Sequence, residues 1–429
     1  MNFLIGPMRS HLNGHKELTT DKNIFKYIPD KVYIPLVMGN TTLNLKVEVG
    51  ESVKVGTLIA ANESRFYVPV FSSVSGKVIG IEKRFHTSRK KVDHLVIEND
   101  KLNTIEESLE KLDYKNSKKA EIVEFIKNKG IVGLGGAGFP AYVKYQNEPN
   151  CETFIINAVE CEPYITADYK LIATETENFK VGVETFFYVS GAKKCYVAVK
   201  ESKKAFIKQL ESLFKDSKGI EIAAVPDVYP MGWERTLVFE ILGRRYKRLP
   251  IEIGCIISNA TTAIALTKAM INGTPIVEKV VTFSGDGLNS PTNVLAPVGT
   301  PVGEIVKNIG GYNGEDILII AGGPMMGAAQ TNDDFVIETK QNAITILQYQ
   351  AEVEAPCLRC GSCVRHCPAG LQPVNIMDAV KTSNTDRIER LDYSSCIECG
   401  LCTYVCPSKI EVTEHIRRAK RYMALKKKK

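Results

Sequence analysis

The chain is predicted to be a multi-domain protein of mixed α/β and β class, with a cysteine-rich module at its C-terminal end. Three observations predict this: glycine-punctuated alternation of apolar residues near the N terminus, apolar runs alternating with helical stretches from Ala120 onward, and eight cysteines crowded between Cys357 and Cys406. A length of 429 residues is too great for one core and fits two to four domains. With 44% hydrophobic and 24% charged residues the composition is that of a folded globular chain, which excludes a disordered or fibrous role.

In the first unit, assigned to residues 1–105, Leu43, Leu45, Val47 and Val49 alternate with polar residues and VPVFSSVSGKVIGI follows from Val68 to Ile81. Period-two patterning broken by Gly50, Gly56 and Gly76 predicts short strands in a compact β domain. The pattern resembles the barrel-sandwich fold of biotinyl and lipoyl carriers. Those carriers need a lysine on an exposed hairpin, and none lies between Val55 and Gly76, so a structural or docking module is expected. After the charged stretch Lys101 to Lys119, residues 120–275 alternate strands such as TFIINAV and KKCYVAVK with helical segments, which predicts an α/β layer. Residues 276–330 are again β-rich. VEKVVTFSGDG, followed by a helix starting near Gly299-Thr300-Pro301, resembles a soluble ligand-binding β-grasp domain. Thr331 to Glu354 is polar and is expected to be a connector, leading to a cysteine module at 350–412 and a basic tail at 413–429.

The cysteine runs are CLRCGSCVRHCP and CIECGLCTYVCP, each with the C-x2-C-x2-C-x3-C-P spacing of a bacterial 4Fe-4S site. Three sulfurs of a tight loop meet three corners of one cube, and the fourth cysteine reaches the other cube. Cys357, Cys360, Cys363 and Cys406 are therefore assigned to one cluster, and Cys396, Cys399, Cys402 and Cys367 to the second. Four-cysteine zinc sites also use C-x2-C, but the third cysteine and the proline repeated in both runs argue against zinc. Two such clusters in one module serve the passage of single electrons.

GLGGAGFPAYVK carries Gly133, Gly135, Gly136 and Gly138 within six positions. Such a loop brings backbone N–H groups close to an anion, and a helix starting after Pro140 would add its positive end. Alone, it is equally a tight structural turn, since neither the triphosphatase ending nor the Rossmann spacing is present. Together with NAVECEPY at Asn157 to Tyr164 and the cysteine runs, it resembles the flavin- and NADH-binding subunit of respiratory complex I and, more closely, the RnfC family of Rnf ion-translocating oxidoreductases, over nearly the whole chain.

The resemblance implies FMN held by Gly133, Gly135, Gly136, Gly138, Lys144, Asn157, Glu160, Glu162, Asn259 and Thr261. Through YPMGWE it implies an NAD(H) pocket with Gly232 and Glu234, and it assigns no chemistry to AGGPMMG at Ala321 to Gly327. Val159 departs from the Asp of complex I, and the N-terminal GPMRSHLNGHKELT departs from the usual Gly-Gly-x-His-Pro opening, with only KELT fitting. The function implied is an electron-transfer subunit of a membrane-associated oxidoreductase, moving electrons between NAD(H), FMN and two 4Fe-4S clusters toward or from ferredoxin. The implied partners are other Rnf-type subunits, both membrane and ferredoxin-like. The alternatives are a soluble NADH-dependent donor to a catabolic reductase, as in proline reduction or diol catabolism, and an iron-sulfur scaffold without flavin activity. No side chain is assigned as catalytic.

Cys151, Cys161, Cys195 and Cys255 are expected to be small buried hydrophobes, with Cys161 the least certain because it adjoins the flavin segment. Trp233 either stacks on a nucleotide ring or simply packs, and His86, His94 and His366 lack partners at metal spacing. The net charge of +6 resides in Glu411 to Lys429, which hold eight basic and two acidic residues, leaving 47 of each sign elsewhere and no case for nucleic acid. Ile416, Ala419 and Met423 fall at helical spacing there, which suits either a helix lying on an anionic bilayer or acidic partner, or a solvated tail. The longest uncharged stretch, Gly287 to Gly303, is short and contains three prolines, and Met1 to Ser10 show no cleavage signal. A peripheral place on the cytoplasmic face of the bacterial membrane is expected.

Overall fold

The computed structural model describes residues 10–147 and 149–426. The first unit is a β barrel-sandwich of two antiparallel sheets. One orders Lys31–Pro35, Lys91–Asn99, Gly76–Phe85 and Ser52–Val53; the other orders Asn44–Leu45, Leu58–Asn62 and Val68–Phe71. Val32, Ile34, Val78, Leu95 and Ile97 pack in the core, and in Lys91–Asn99 the intervening Val96 is buried as well. Gly76 is required there: at φ 150° a Cβ would lie 1.8 Å from Glu98 O.

The strands of these two sheets begin at Lys31, and the residues before them pack elsewhere. Phe25–Lys26 pairs in parallel with Thr292–Pro297 and so belongs to a different sheet. Before it, Ser10 bridges Tyr229, the Tyr164 N–H donates to Gly14 O, and Thr19 meets Thr166 across a 2.7 Å hydroxyl pair. The N-terminal segment is thus a strap over the central domain. A two-residue parallel pairing carries no local pattern, so nothing in the sequence marked it.

The central domain holds a parallel sheet in the order Ile220–Val225, Lys194–Lys200, Thr153–Asn157, Cys255–Asn259, with helices packed against it. Its strands are nearly continuous apolar runs because both faces are covered. Helices Thr176–Ser190 and Ala260–Asn272 pack so closely at Gly182 that a Cβ there would lie 2.0 Å from Ala263 O.

The next sheet runs Phe25–Lys26, Thr292–Pro297, Glu278–Ser284, Ala343–Gln348, Ile317–Ala321, Ala328–Gln330, with helix Val302–Asn308 beside it. The expected connector at 331–354 is therefore corrected: Ala343–Gln348 is an interior strand with Ala343, Ile344 and Ile346 buried. A fully buried strand shows no alternation, and so short an apolar run within a polar stretch resembles a linker. The same stretch fastens this sheet to the barrel. Glu338 Oε1 accepts from Thr87 Oγ1 at 2.5 Å and lies 3.3 Å from His86 Nε2.

The basic tail is corrected as well. Val412–Lys426 is a helix whose Ile416, Ala419 and Met423 are buried in the core of the cysteine module, against Ile376, Met377 and Ile388. Arg417 Nε and Lys420 Nζ both bind Glu398, at 2.9 and 2.7 Å. The apolar stripe that suited a membrane surface thus covers the cluster-binding loops. Lys427 to Lys429 lie outside the described residues.

Two outcomes follow from these contacts. Ile416→Ala should lower the stability of the cysteine module by about 2–5 kcal/mol, seen as an earlier transition in chemical denaturation. Burial raises the Glu338 carboxyl, but the His86 hydrogen bond and Lys340 outweigh this and bring it down to about 2 from 4.5. Its stabilisation is therefore complete above the ordinary carboxylate range and is lost as pH falls toward about 2. Glu338→Gln should cost roughly 3 kcal/mol at neutral pH and almost nothing in strong acid, as measured by unfolding across pH.

Candidate functional site

The four parallel strands end on one edge of the central sheet. Thr153–Asn157 and Cys255–Asn259 are neighbours there, with Asn157 and Asn259 as register partners at their last positions. The chain winds from Thr153–Asn157 toward Lys194–Lys200 on one side and places Cys255–Asn259 on the other. The crevice between the two asparagines is thus a topological switch point, where open α/β sheets bind ligands.

Asn259 organises this crevice. Its Oδ1 accepts from the Thr261 N–H at 2.9 Å, the Thr262 N–H at 3.4 Å and Thr261 Oγ1 at 2.7 Å, capping helix Ala260–Asn272, while its Nδ2 donates to Asp168 Oδ2 at 2.7 Å. The glycine loop rests on this cap: the Leu134 N–H donates to Thr262 Oγ1 at 3.0 Å, and a Cβ at Gly135 would lie 3.1 Å from Asn259 Nδ2. Gly133 donates to Phe139 O and Gly138 to Gly133 O, closing the loop, with Gly136 at φ 103°. Gly135, Gly136 and Ala137 are exposed, and among the described residues no protein acceptor takes their N–H groups. Free donors beside a helix N terminus form an anion cradle. The helix expected after Pro140 is only the 3-10 turn Ala141–Lys144, so the positive end comes from Ala260–Asn272, which is distant in sequence.

The other expected residues converge on the same edge. Lys144 Nζ donates to Ile257 O at 2.5 Å; burial lowers its pKa and the nearby Glu234 carboxylate opposes that. Asn157 Nδ2 donates to Gly232 O at 2.8 Å, tying the Tyr229–Glu234 turn to the strand end. Gly232 leaves room for Cys161, whose Sγ would lie 3.0 Å from a Cβ at that position. Burial pushes the Cys161 thiol up to about 11, so it is not a ready thiolate; Cys151, Cys195 and Cys255 are buried core residues, as expected. Trp233 precedes helix Glu234–Leu242 and is half-buried.

Both acidic residues of NAVECEPY are engaged by the protein. Glu160, at φ 43°, accepts from the Asp168 N–H at 2.7 Å and lies 3.7 Å from Lys16 Nζ; burial, opposed by Lys16, pushes it up to about 7. Glu162 accepts from the Met325 and Met326 N–H groups at 2.8 and 3.0 Å. AGGPMMG, to which no chemistry was assigned, is therefore the turn on which Glu162 rests. A Cβ at Gly323 would lie 2.1 Å from Glu162 Cγ.

This turn also meets the cysteine module. Tyr229 Oη donates to Cys399 O at 2.8 Å, and Tyr229, Cys399, Leu401, Cys161 and Met325 share one apolar cluster. Sequence reasoning missed Lys16, Asp168, Lys279, Tyr229 and Met325. Lys16, Tyr229 and Met325 lie in segments singled out above (KELT, YPMGWE and AGGPMMG), and Lys279 is a cation within the apolar run VEKVVTF; Asp168 carried no local signal.

Cys357, Cys360, Cys363 and Cys406 line one cavity, grouped as their spacing implied. Cys367 lies near enough to Cys396, Cys399 and Cys402 to act on each electrostatically. Among the described residues the sulfurs are not closed around common points. The loops nonetheless suit iron-sulfur cubes. Arg359 and Glu398, at φ 55° and 57°, turn their N–H groups onto Cys357 Sγ and Cys396 Sγ at 3.5 and 3.3 Å, and Gly361 and Gly400 follow with positive φ.

Three families match along the chain: an RnfC barrel sandwich hybrid domain over residues 9–102, a Nuo51 FMN-binding domain over 126–268, and a 4Fe-4S dicluster domain over 356–410. The chain is 34% identical over 374 residues to the C subunit of the proton-translocating ferredoxin:NAD(+) oxidoreductase complex of Clostridium ljungdahlii, covering 85% of this chain and 81% of that protein. It is 33% identical to the Na(+)-translocating counterpart of Acetobacterium woodii, covering 88% of each. The NAD+-reducing [NiFe]-hydrogenase in its H2-reduced state shares the fold, with a TM-score of 0.51 at 17% identity over 73% of this chain and 62% of that one.

Gly323→Ala should lower stability by about 1–3 kcal/mol through overpacking against Glu162. In a double-mutant cycle, Glu162→Ala should relieve most of that loss, as read by thermal unfolding, because the clash is with that side chain.

Proposed function

Because this chain belongs to the RnfC family of ion-translocating ferredoxin:NAD(+) oxidoreductase subunits, we propose that it passes electrons between NAD(H), FMN and two 4Fe-4S clusters. Its partners are the other subunits of such a complex. Among the described residues no helix is long and apolar enough to cross a membrane, which is consistent with a peripheral place against the membrane subunits. That contact does not use the apolar stripe of the C-terminal helix, which is buried. We assign domains to residues 31–105 (barrel-sandwich), 120–275 (flavin-binding), 276–348 with Phe25–Lys26 (β-grasp) and 350–426 (dicluster).

FMN supplies the exchange between electron pairs, which nicotinamide handles, and single electrons, which the clusters handle. The observation that carries the proposal is the switch-point crevice, with a free-amide loop on one side and the cysteine module on the other. The N–H groups of Gly135, Gly136 and Ala137, with Gly133 and Gly138 shaping the loop, would take the phosphate, and Lys144 would add its charge. Asn157, Asn259 and Thr261 would line the ring and ribityl side, with Glu160 and Glu162 holding the surrounding loops. Gly232 and Glu234 border the place left for the dinucleotide.

Tyr229, Cys161 and Met325 hold the Cys399 loop against this crevice. The cluster bound by Cys367, Cys396, Cys399 and Cys402 would therefore be the one nearer the flavin. The other set includes the exposed Cys360 and would face an external redox partner.

Anaerobic purification should yield about eight irons and about one FMN per chain, as expected of two cubic clusters. Lys144→Ala should cut FMN content severalfold while leaving iron unchanged. Undiminished flavin in that variant, or zinc in place of iron, would count against the assignment.

A further inference from the structure

Beneath the glycine loop lie four buried ionisable side chains that the electron path does not use. Lys279 Nζ is 3.4 Å from Leu134 O, inside the loop itself, and its charge faces Asp168. Asp168 Oδ2 accepts from Asn259 Nδ2, while its other oxygen, Oδ1, is buried without a partner among the described residues. The Asp168 N–H donates to Glu160, and Glu160 faces Lys16, whose ammonium also donates to Ile165 O. The row Lys279, Asp168, Glu160, Lys16 thus runs under the two residues, Asn259 and Leu134, on which the loop is built.

Each end of the row opens to a cavity. Asp168 and Lys279 line a space of about 280 Å³ between the barrel, the central domain and the following sheet, bordered also by Lys268 and Glu278. Glu160 and Lys16 line a second one with Lys200 and Lys203. The row therefore borders a cavity at each end.

Resting on the flavin assignment above, we propose that this quartet is the proton store of the flavin site, with Glu160 and Asp168 taking up and returning the proton that accompanies flavin redox chemistry. The step balances. NADH gives up a hydride to become NAD+, and full reduction of FMN needs one further proton. When the two electrons leave singly toward the clusters, the hydride's hydrogen and that proton are both released. An electron leaving for a cluster does not carry its proton along; of the two protons released, the buried carboxylates would take one and the other would pass to water.

The charge arrangement suits the task. Two carboxyls and two ammoniums are near balance, so one added negative charge above them is offset by one proton. Burial raises Asp168, opposed by Lys279, and holds Glu160 at about 7 and Lys279 at about 8, within the working range. The other groups facing the row are Lys200, paired with Asp227 at 2.7 Å, together with Lys203, Cys161 and Glu162.

The test is a spectroelectrochemical titration of bound FMN in the whole protein from about pH 6 to about pH 9, a range spanning the quartet. The wild-type midpoint should change its pH slope near neutrality. Glu160→Gln should remove that break or move it by roughly one pH unit, and Asp168→Asn should do likewise. Lys279→Met serves as an independent variant that leaves both carboxyls in place and should shift the break upward. Superimposable pH dependence at full FMN occupancy in variants that fold would overturn the proton store and leave the flavin assignment standing; a wild type lacking FMN would sink both.

Discussion

Everything at this site depends on how Asn259 spends its hydrogen bonds. One side-chain oxygen caps a helix, and the amide nitrogen of the same side chain reaches a buried carboxylate. The cap directs the positive end of helix Ala260–Asn272 at the glycine loop, and Thr262, one turn on, holds Leu134 in place. Because Asn259 ends a strand paired with the one ending at Asn157, its position is set by the register of a parallel ladder. Such a ladder shifts only as a whole, and this makes an exposed loop rigid enough to present free amides to an anion.

The constraint extends outward through backbone contacts more than through charge. Glu162 binds two successive amides of the Gly323–Met326 turn, and that turn lies so close to Gly400 that a Cβ there would approach Met325 O to 2.6 Å. Tyr229 bonds the carbonyl of Cys399. Three domains thus meet at the crevice proposed for the flavin. The N-terminal strap adds a fourth contributor: His15 stacks on Tyr164 at 4.7 Å, and Lys16 neutralises Glu160, whose burial would otherwise be costly.

Much of this was legible in the residues. The cysteine spacing implies which sulfurs would share a cube, and Cys357, Cys360, Cys363 and Cys406 line one cavity. The barrel was legible in part: of the apolar series that marked it, Leu43 and Val47 are buried, whereas Leu45 and Val49 are exposed. The strand Ala343–Gln348 and the helix Val412–Lys426 were misjudged because one is buried on both faces, and the other shows an apolar stripe without showing what covers it.

What the sequence determined by itself is the chemistry: which residues can hold iron, which loop can bare its amides, and where strands must alternate with helices. These follow from spacing and local conformation, which act over a few residues. Only the tertiary structure decided which helix end faces the loop, which cysteine loop packs against the crevice, and that Lys16, Asp168 and Lys279 meet beneath the site. Those outcomes depend on contacts between segments more than a hundred residues apart, such as Lys16 with Ile165 and Lys279 with Leu134. A charge in such a place is tolerated only because another segment supplies its partner, and that pairing has no period or motif to announce it.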